Sequence, residues 1–196
     1  MPRPPDPELE KRILHAADVL WRRGGEKALT MRAVARAAKT NTPAVYRRFK
    51  DREDLIRALL LQIAGRIREH FQRGETMEEM AEAYVDYALE LPNEYRLFYT
   101  HSQLLSPPRK QGKVQPIRET RPNFAFTEQI AAKQLGGRPE DHTQLALQLW
   151  AMLHGTVMLL LGKSIQGHEE ELRAACRASV KAVIERARQA RAANAT

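Results

Sequence analysis

A proline inside an otherwise helical apolar pattern is the feature that most limits how this chain can fold. It occurs in the stretch TNTPAVYRRFKD, residues 40–51. Proline lacks a backbone N–H, so a helix accepts it only in the first turn, where that N–H would have no partner. With Thr42 as the N-cap and Pro43 as the first helical residue, the pattern predicts a helix of about two turns that ends before Asp51.

This short helix is predicted to have two different faces. Val45 and Phe49 lie one turn apart and are expected to pack inward, while the polar and basic side chains fall on the outer side. So short a helix needs a support, because nucleation costs more free energy than about two turns return. The pattern predicts that support from Met31 to Ala38, with Thr30 as N-cap. Two such helices joined by a tight turn are typical of a helix-turn-helix that enters the major groove of DNA.

The charge distribution agrees with a polyanionic partner. The formal net charge is +8, and residues 1–75 carry 17 basic against 10 acidic side chains. A block of one sign is an electrostatic footprint for nucleic acid, although a solvated surface face is the alternative interpretation. Residues 30–50 contain no acid and six basic side chains: Arg32, Arg36, Lys39, Arg47, Arg48 and Lys50.

Helical periodicity continues along the chain, and strand patterns are almost absent. The proline-rich residues 1–7 are expected to form a loose arm, and residues 106–121 a loop. The apolar stretch 142–163 approaches a membrane span, but its apolar run is only about 17 residues, below the usual 20, and is interrupted by Gln148, His154 and Thr156, so a core helix is preferred. Further helices are predicted from Pro7 to Gly24-Gly25, from Asp51 to near Gly74, after Thr76, from Pro92, from Pro122 to Leu135 and from Glu169 to Ala192.

Composition argues against several other classes of protein. Cys176 is the single cysteine, so neither an internal disulfide nor a cysteine-rich metal site is expected. The six histidines are scattered, and no Gly-rich phosphate loop or serine elbow occurs, so we expect no catalytic residue, no metal and no cofactor. The N-terminus lacks the apolar segment of a signal peptide, which predicts a cytoplasmic protein without membrane association.

The run TMRAVARAAKTNTPAVYRRFKDREDL, residues 30–55, resembles the DNA-binding domain of the TetR family of bacterial transcriptional regulators. The similarity covers about the first 65 residues. Lys39 stands where the family commonly has Gly in the turn, and a non-Gly residue in a left-handed conformation costs about 1 kcal/mol. The positions that carry the resemblance are Thr30, Val34-Ala35, Thr42, Tyr46, Phe49-Lys50 and the acidic helix start at Asp51.

The resemblance implies individual roles on DNA. Hydroxyl, amide and ammonium groups at Thr30, Thr42, Tyr46 and Lys50 would contact phosphates. Asn41, Pro43 and Arg47 would approach base edges, and the Arg47 guanidinium matches the O6 and N7 acceptors of guanine. With Arg32 from the basic block, the candidate DNA-binding residues are Thr30, Arg32, Asn41, Thr42, Pro43, Tyr46, Arg47 and Lys50.

The stretch LWAMLHG, residues 149–155, together with ELPNEYRLFY upstream, resembles the Trp-His-Gly class of TetR C-terminal domains. The resemblance implies an all-helical domain whose last two long helices form a four-helix bundle with a partner chain. The apolar residues of 145–161 and 172–184 exceed what one small domain covers, so we expect them in a two-fold interface that includes Val180.

Aromatic and soft side chains on the C-terminal helices predict an effector site. They offer an apolar cavity with a few polar tips, as small-molecule pockets do. Ordinary core packing is the alternative for any one of them. The candidate ligand-binding residues are Tyr84, Tyr87, Phe98, Phe124, Trp150, His154 and Met158.

Together these patterns predict an all-α protein. A helix-turn-helix DNA-binding domain of three helices is expected at residues 7–52, a linking helix at 52–73, and a ligand-binding and dimerisation domain at 76–192. The expected function is that of a homodimeric repressor, which binds a palindromic operator in double-stranded DNA and is released by a small hydrophobic or aromatic effector. A non-specific, nucleoid-type DNA-binding protein without an effector is the alternative, but it has no need of a large aromatic-lined domain.

Overall fold

The computed structural model describes residues 7–106, 115–121 and 123–194, and these ranges contain α-helices and short 3-10 turns but no strand. The all-α prediction is confirmed. The ten α-helices of the described ranges are α1 (Pro7–Ala28), α2 (Met31–Ala37), α3 (Thr42–Tyr46), α4 (Arg52–Phe71), α5 (Met77–Glu90), α6 (Pro92–His101), α7 (Ile117–Thr120), α8 (Phe124–Leu135), α9 (Thr143–Leu161) and α10 (Glu169–Asn194).

The chain divides into two compact units. Unit 1 combines the chain up to residue 64 with residues 93–108, and unit 2 combines residues 65–92 with the chain from residue 109 onward. The division runs through α4 and assigns nearly all of α6 to unit 1. The functional boundaries at 7–52 and 76–192 stay a prediction.

Unit 1 contains the short helices, with α2 packed against both α1 and α3. Burying one Ile or Leu side chain stabilises the fold by about 1.5–3 kcal/mol, and this unit buries many of them. The predicted stop at Gly24-Gly25 is a kink, because Gly25 has φ 60° and one further helical turn follows it to Ala28. Glycine adopts that φ without the steric cost of a side chain. Buried side chains of unit 1 include Ile13, Ala17, Trp21, Val34, Val45, Phe49, Leu55, Leu59 and Ile63.

Unit 2 is a helical bundle in which α9 packs against α5, α8 and α10. A reciprocal capping box starts α5: the Thr76 hydroxyl accepts from the N–H of Glu79, and the Glu79 carboxylate accepts from the N–H of Thr76. The core of unit 2 includes Leu145, Leu149, Leu153, Val157, Cys176, Val180 and Ile184.

The apolar helix α9 is only partly a core helix. Within the described ranges, the stretch Pro139–Leu161 is long and apolar enough to cross a membrane by length and composition alone, and 33% of its most apolar part is buried. Core helices of soluble proteins meet the same criterion. Leu147, Met158 and Leu159 are exposed in the single chain.

Two helix predictions need correction near the middle of the chain. Residues 117–120 of the predicted loop form α7, since a single helical turn is too short for periodicity to indicate. The helix predicted from Pro122 begins at Phe124. Residues 1–6 and 107–114 and the predicted start at Pro122 itself lie outside the described residues.

Candidate nucleic-acid interface and effector region

The support helix α2 has the predicted cap. The Thr30 hydroxyl accepts a hydrogen bond from the backbone N–H of Ala33 at 3.1 Å. Because α2 buries Met31, Val34 and Ala35 on one face, Arg32 lies exposed on the other. The N-terminus of α2 therefore presents a hydroxyl and a guanidinium on the surface of unit 1.

The recognition helix α3 starts one residue earlier than predicted. Asn41, not Thr42, is its N-cap, and the Asn41 side-chain oxygen accepts from the N–H of Ala44 at 2.9 Å. Asn caps helices at least as well as Thr, and Pro43 still lies in the first turn, where its missing N–H has no cost. The amide oxygen of Asn41 is thus engaged in the helix, and only its NH₂ group remains to meet DNA.

The turn between α2 and α3 is closed by a Schellman motif. The N–H of Thr40 donates to the carbonyl of Ala35 at 2.9 Å, and the N–H of Lys39 donates to the carbonyl of Arg36 at 3.1 Å. Lys39 takes the left-handed position of this motif, with φ 53°. Lys39 therefore strains the turn, but it still adopts the left-handed conformation that the turn requires.

The junction of α3 and α4 is fixed by two carboxylates. Asp51 accepts from the N–H of Asp54 at 2.8 Å, and Asp54 accepts from the N–H of Lys50 at 3.1 Å, which places Lys50 at the start of α4. Arg52 points back into unit 1, since its guanidinium donates to the carbonyl of Leu29 at 3.0 Å. Arg52 is thus a structural arginine within the basic region.

The eight candidate DNA-binding side chains all reach the surface of unit 1. Thr42 is half-buried and the other seven are exposed, including Tyr46 at 51%. Val45 and Phe49 are buried, as predicted from their spacing. Within the described residues, five exposed cations of this region have no ion pair: Arg32, Arg36, Lys39, Arg47 and Lys50.

A second basic surface lies beside the turn. A groove of about 520 Å³ between α1 and the end of α2 is lined by Lys11, Arg12, His15 and Lys39 over a floor of small apolar residues. Periodicity alone did not single out these α1 residues. The cationic area of unit 1 therefore extends beyond the helix-turn-helix.

Unit 1 also contains a polar clamp between α1 and α6, which sequence reasoning missed. The Trp21 indole N–H donates to the carbonyl of Asn93 at 2.7 Å, and the Asn93 amide donates to the carbonyl of Arg22 at 2.8 Å. The Arg22 guanidinium lies 2.6 Å from the carboxylate of Glu94, which is buried. These partners are about 70 residues apart, so no local pattern could pair them.

The seven candidate effector residues stay a prediction, and each is described within its own unit. In unit 2, Tyr84 stacks on Phe71 with ring centroids 5.7 Å apart, and Tyr87 meets His70 at 5.5 Å. Phe98 belongs to unit 1, where it contacts Tyr99. These aromatic side chains are buried, consistent with ordinary core packing.

The remaining candidates lie on α8 and α9. Phe124 and Trp150 meet edge to face with centroids 6.4 Å apart. His154 is half-buried, and this burial lowers its pKa, so the imidazole is neutral at pH 7. Met158 is 50% exposed on α9.

Unit 2 also has a cavity that the sequence did not indicate. It has a volume of about 250 Å³ between α5, α9 and α10, and none of the seven candidates lines it. Glu82 from α5 and Arg173 and Arg177 from α10 line it, and Arg173 also pairs with Asp86 at 2.7 Å. Within the described residues, no group of three or more His, Cys, Asp or Glu side chains could hold a metal ion.

An exposed cationic face on a helix-turn-helix, followed by a helical bundle, defines a DNA-binding regulator. Two family models match the chain: "Bacterial regulatory proteins, tetR family" over residues 13–59, and "Tetracyclin repressor-like, C-terminal domain" over residues 77–192. The chain therefore belongs to the TetR family of bacterial regulators. The Trp-His-Gly class stays a prediction.

Solved structures share the fold. A TetR-family transcriptional regulator from Streptomyces coelicolor has a TM-score of 0.63 at 19% identity, over 91% of this chain and 99% of that one. A TetR variant from Acinetobacter baumannii AYE in complex with minocycline gives 0.58 at 21%, over 90% and 96%. The multidrug binding protein EbrR complexed with ethidium gives 0.60 at 21%, over 91% and 99%. No curated protein matches in sequence.

Proposed function

We propose that this chain is a repressor that binds a palindromic operator as a homodimer and is released by a small hydrophobic or aromatic ligand. The observation that carries the proposal is the exposed face of the helix-turn-helix, where five cations have no ion pair within the described residues. Desolvating such a face against anything except a polyanion would cost free energy. We expect a cytoplasmic regulator without catalytic activity.

DNA reading is assigned mainly to α3. Arg47 follows its last residue and is exposed, so the guanidinium can reach guanine while Lys50 and Tyr46 hold the backbone. Two symmetric copies would meet half-sites about one helical turn apart or slightly more. Affinity should fall by about 10³–10⁵ between 50 and 200 mM salt if about 6–10 phosphates are neutralised.

Dimerisation is assigned to the outer face of α9. Leu147, Ala151, Gly155 and Met158 follow one another at helical spacing, and all four are exposed in this chain. A side chain added at Gly155 would meet nothing within 4 Å, so the surface there is open to a second copy. An exposed apolar stripe of this kind is typical of an isologous two-fold contact.

The structure corrects the choice of Val180 for the interface. Val180 is 2% exposed and Ile184 fully buried, so both pack inside their own chain. Spacing along α10 could not tell a face buried within the chain from one buried by a partner. A charge at Val180 would therefore unfold the bundle as well as break any dimer, and Gly155 is the better position to test.

Ligand control is assigned to the helices around α5 and α9. The solved relatives named above bind minocycline and ethidium, which are aromatic or polycyclic compounds. In this chain α5 ends at Glu90, and after Leu91 the chain enters α6, which is hydrogen-bonded to α1 of the DNA-binding unit. A ligand that shifts the end of α5 would thereby act on α1 through the Arg22–Glu94 pair.

Operator binding tests the proposal directly. The palindromes in the upstream regions of the gene and its neighbours should bind the full chain at least about 10³-fold more tightly than random DNA of equal length. Fluorescence anisotropy in 150 mM salt measures this ratio. Equal affinity for random DNA would favour the nucleoid-type alternative. Release of the operator by a compound from a library of hydrophobic molecules tests the effector part.

A further inference from the structure

A buried carboxylate in unit 2 has one oxygen without a hydrogen-bond partner among the residues that the structure describes. Glu128 on α8 is fully buried, and its Oε1 accepts from the Thr143 hydroxyl at 2.6 Å and from Arg118 at 3.2 Å. Its Oε2 is buried and has no hydrogen-bond partner. A buried carboxylate oxygen without a protein partner has room in its hydrogen-bonding capacity for a donor from another molecule.

Asn123, five residues before Glu128, repeats this pattern. Its amide nitrogen and oxygen are both buried without a partner among the described residues, although Asn123 sits at the N-cap position of α8. Among the described residues of unit 2, the buried side-chain N and O atoms without partners all belong to Asn123 and Glu128. The unsatisfied polar atoms are thus concentrated on the first half of one helix.

The aromatic contact lies along the same pair of helices. Phe124 is one turn before Glu128 on α8, and it meets Trp150, two turns after Thr143 on α9. We call this strip the α8–α9 seam: Asn123, Phe124 and Glu128 on one side, and Thr143, Trp150 and His154 on the other. Trp150 is only half-buried, so the seam reaches the surface.

The charges along the seam favour a positive ligand. One guanidinium, that of Arg118, pairs with both Glu128 and Glu140, which leaves the set of three with a net negative charge. Hydrogen bonding from its own backbone N–H and from Arg118 lowers the pKa of Glu140, so that carboxylate is ionised at pH 7. His154 adds no positive charge, because its imidazole is neutral there.

We propose that the α8–α9 seam binds an aromatic cation, whose N–H group donates to Oε2 of Glu128 while its ring packs on Phe124 and Trp150. A charge-assisted hydrogen bond to a buried carboxylate and a cation near aromatic faces both favour this class over neutral or anionic rings. The inference rests on the proposed effector-responsive function and names the chemistry of the effector.

Three naphthalene probes with a positive, a neutral and a negative side group test the seam: 2-naphthylmethylamine, protonated at pH 7.5, 2-naphthylmethanol and 2-naphthoate. Calorimetry on the full chain without DNA should show the cation binding about 10–100-fold more tightly than the alcohol, and the carboxylate more weakly still. Equal or tighter binding of 2-naphthoate would overturn the proposal, as would failure of all three to bind at millimolar concentration.

Two matched variants test whether Glu128 causes the preference for the cation. Glu128→Gln keeps the shape of the side chain and should reduce the advantage of the cation over the alcohol to less than about threefold. Glu119→Gln removes the same charge at an exposed position of α7 and should preserve the advantage of the cation over the alcohol. A preference unchanged in Glu128→Gln would overturn the assignment. If that variant does not fold, as judged by circular dichroism, the ranking of the three probes on the unmodified chain decides.

Adding the operator separates this inference from the proposed function. If the cation binds with the expected ranking but never changes operator affinity, the seam is a binding site and the proposed release of the operator by a ligand fails. If another class of compound releases the operator and the cation does not bind, the proposed release by a ligand stands and the seam proposal fails.

Discussion

Two arginines on the helix-turn-helix surface of unit 1 and two in the bundle of unit 2 are used in opposite ways. On the helix-turn-helix surface of unit 1, Arg32 and Arg47 are exposed and have no ion pair within the described residues. In unit 2, Arg118 pairs with Glu128 and Arg173 pairs with Asp86, each joining two helices of the bundle. An arginine therefore stabilises the fold where acidic side chains face it, and it remains available for a partner where they do not.

The largest expected difference between the two groups is in stability. Arg118→Ala leaves the buried carboxylate of Glu128 without its counter-ion, which should lower the free energy of unfolding by about 3–5 kcal/mol. Arg47→Ala should change the free energy of unfolding by no more than about 0.5 kcal/mol, because Arg47 is exposed and none of the described residues pairs with it. Urea unfolding followed by circular dichroism measures both. Equal effects of the two substitutions would contradict the comparison.

The order of the two arginines should reverse when DNA binding is measured instead of stability. Arg47→Ala is expected to cost about 1–3 kcal/mol in operator affinity and to relax the preference at one base pair. Lys50→Ala should weaken all sequences alike, since an ammonium group on phosphate carries no base information. Anisotropy titrations against operators with single substitutions measure both. Arg188→Ala is the control, because it removes an exposed arginine that pairs with Glu185 far along α10. If Arg47→Ala kept both affinity and preference, α3 would not be the reading helix.

The exposed face of α9 tests whether unit 2 also keeps a surface for a partner. Gly155→Leu fills open space in a single chain but should collide across a two-fold contact, weakening the dimer by about 1–3 kcal/mol. The substitution should leave the folded monomer intact, because glycine is the poorer helix former. Sedimentation at micromolar concentration measures the dimer, with Gly155→Ala as the mild control. A wild-type chain that sediments as a monomer would remove the basis of this prediction.

The smallest effect is expected at the turn of the helix-turn-helix. Lys39→Gly relieves a side chain at φ 53° and should raise the free energy of unfolding by about 1 kcal/mol. Lys39→Ala removes the same charge but keeps the strain, so it should not stabilise. Both variants should lose a similar part of their affinity for DNA at low salt, because Lys39 belongs to the cationic surface. Thermal unfolding compares the pair, and a gain in the alanine variant would show that charge repulsion, not backbone strain, was the cause.

The two sites differed in how far they could be predicted. At the DNA-binding face the signals are local: caps, a proline in the first turn and apolar residues one turn apart involve neighbours within four positions. The prediction erred there by a single residue, at the cap of α3. In the effector region the seven candidate residues stay a prediction, because aromatic character alone does not say which helix a side chain will meet. Glu128 was missed, although an acid one turn after Phe124, on the apolar face of a helix, could have drawn notice.

The sequence by itself determined the all-α class, the helix-turn-helix and the sign of the surface charge, since each depends on residue type and spacing along one or two turns. The tertiary structure alone decided the clamp of Trp21 and Arg22 on α6, the burial of Val180 within its own chain, and the unsatisfied oxygen of Glu128. These features arise when side chains far apart in sequence share one small volume. Which groups meet there depends on how the helices pack, and helical periodicity gives the face of a helix but not its neighbour.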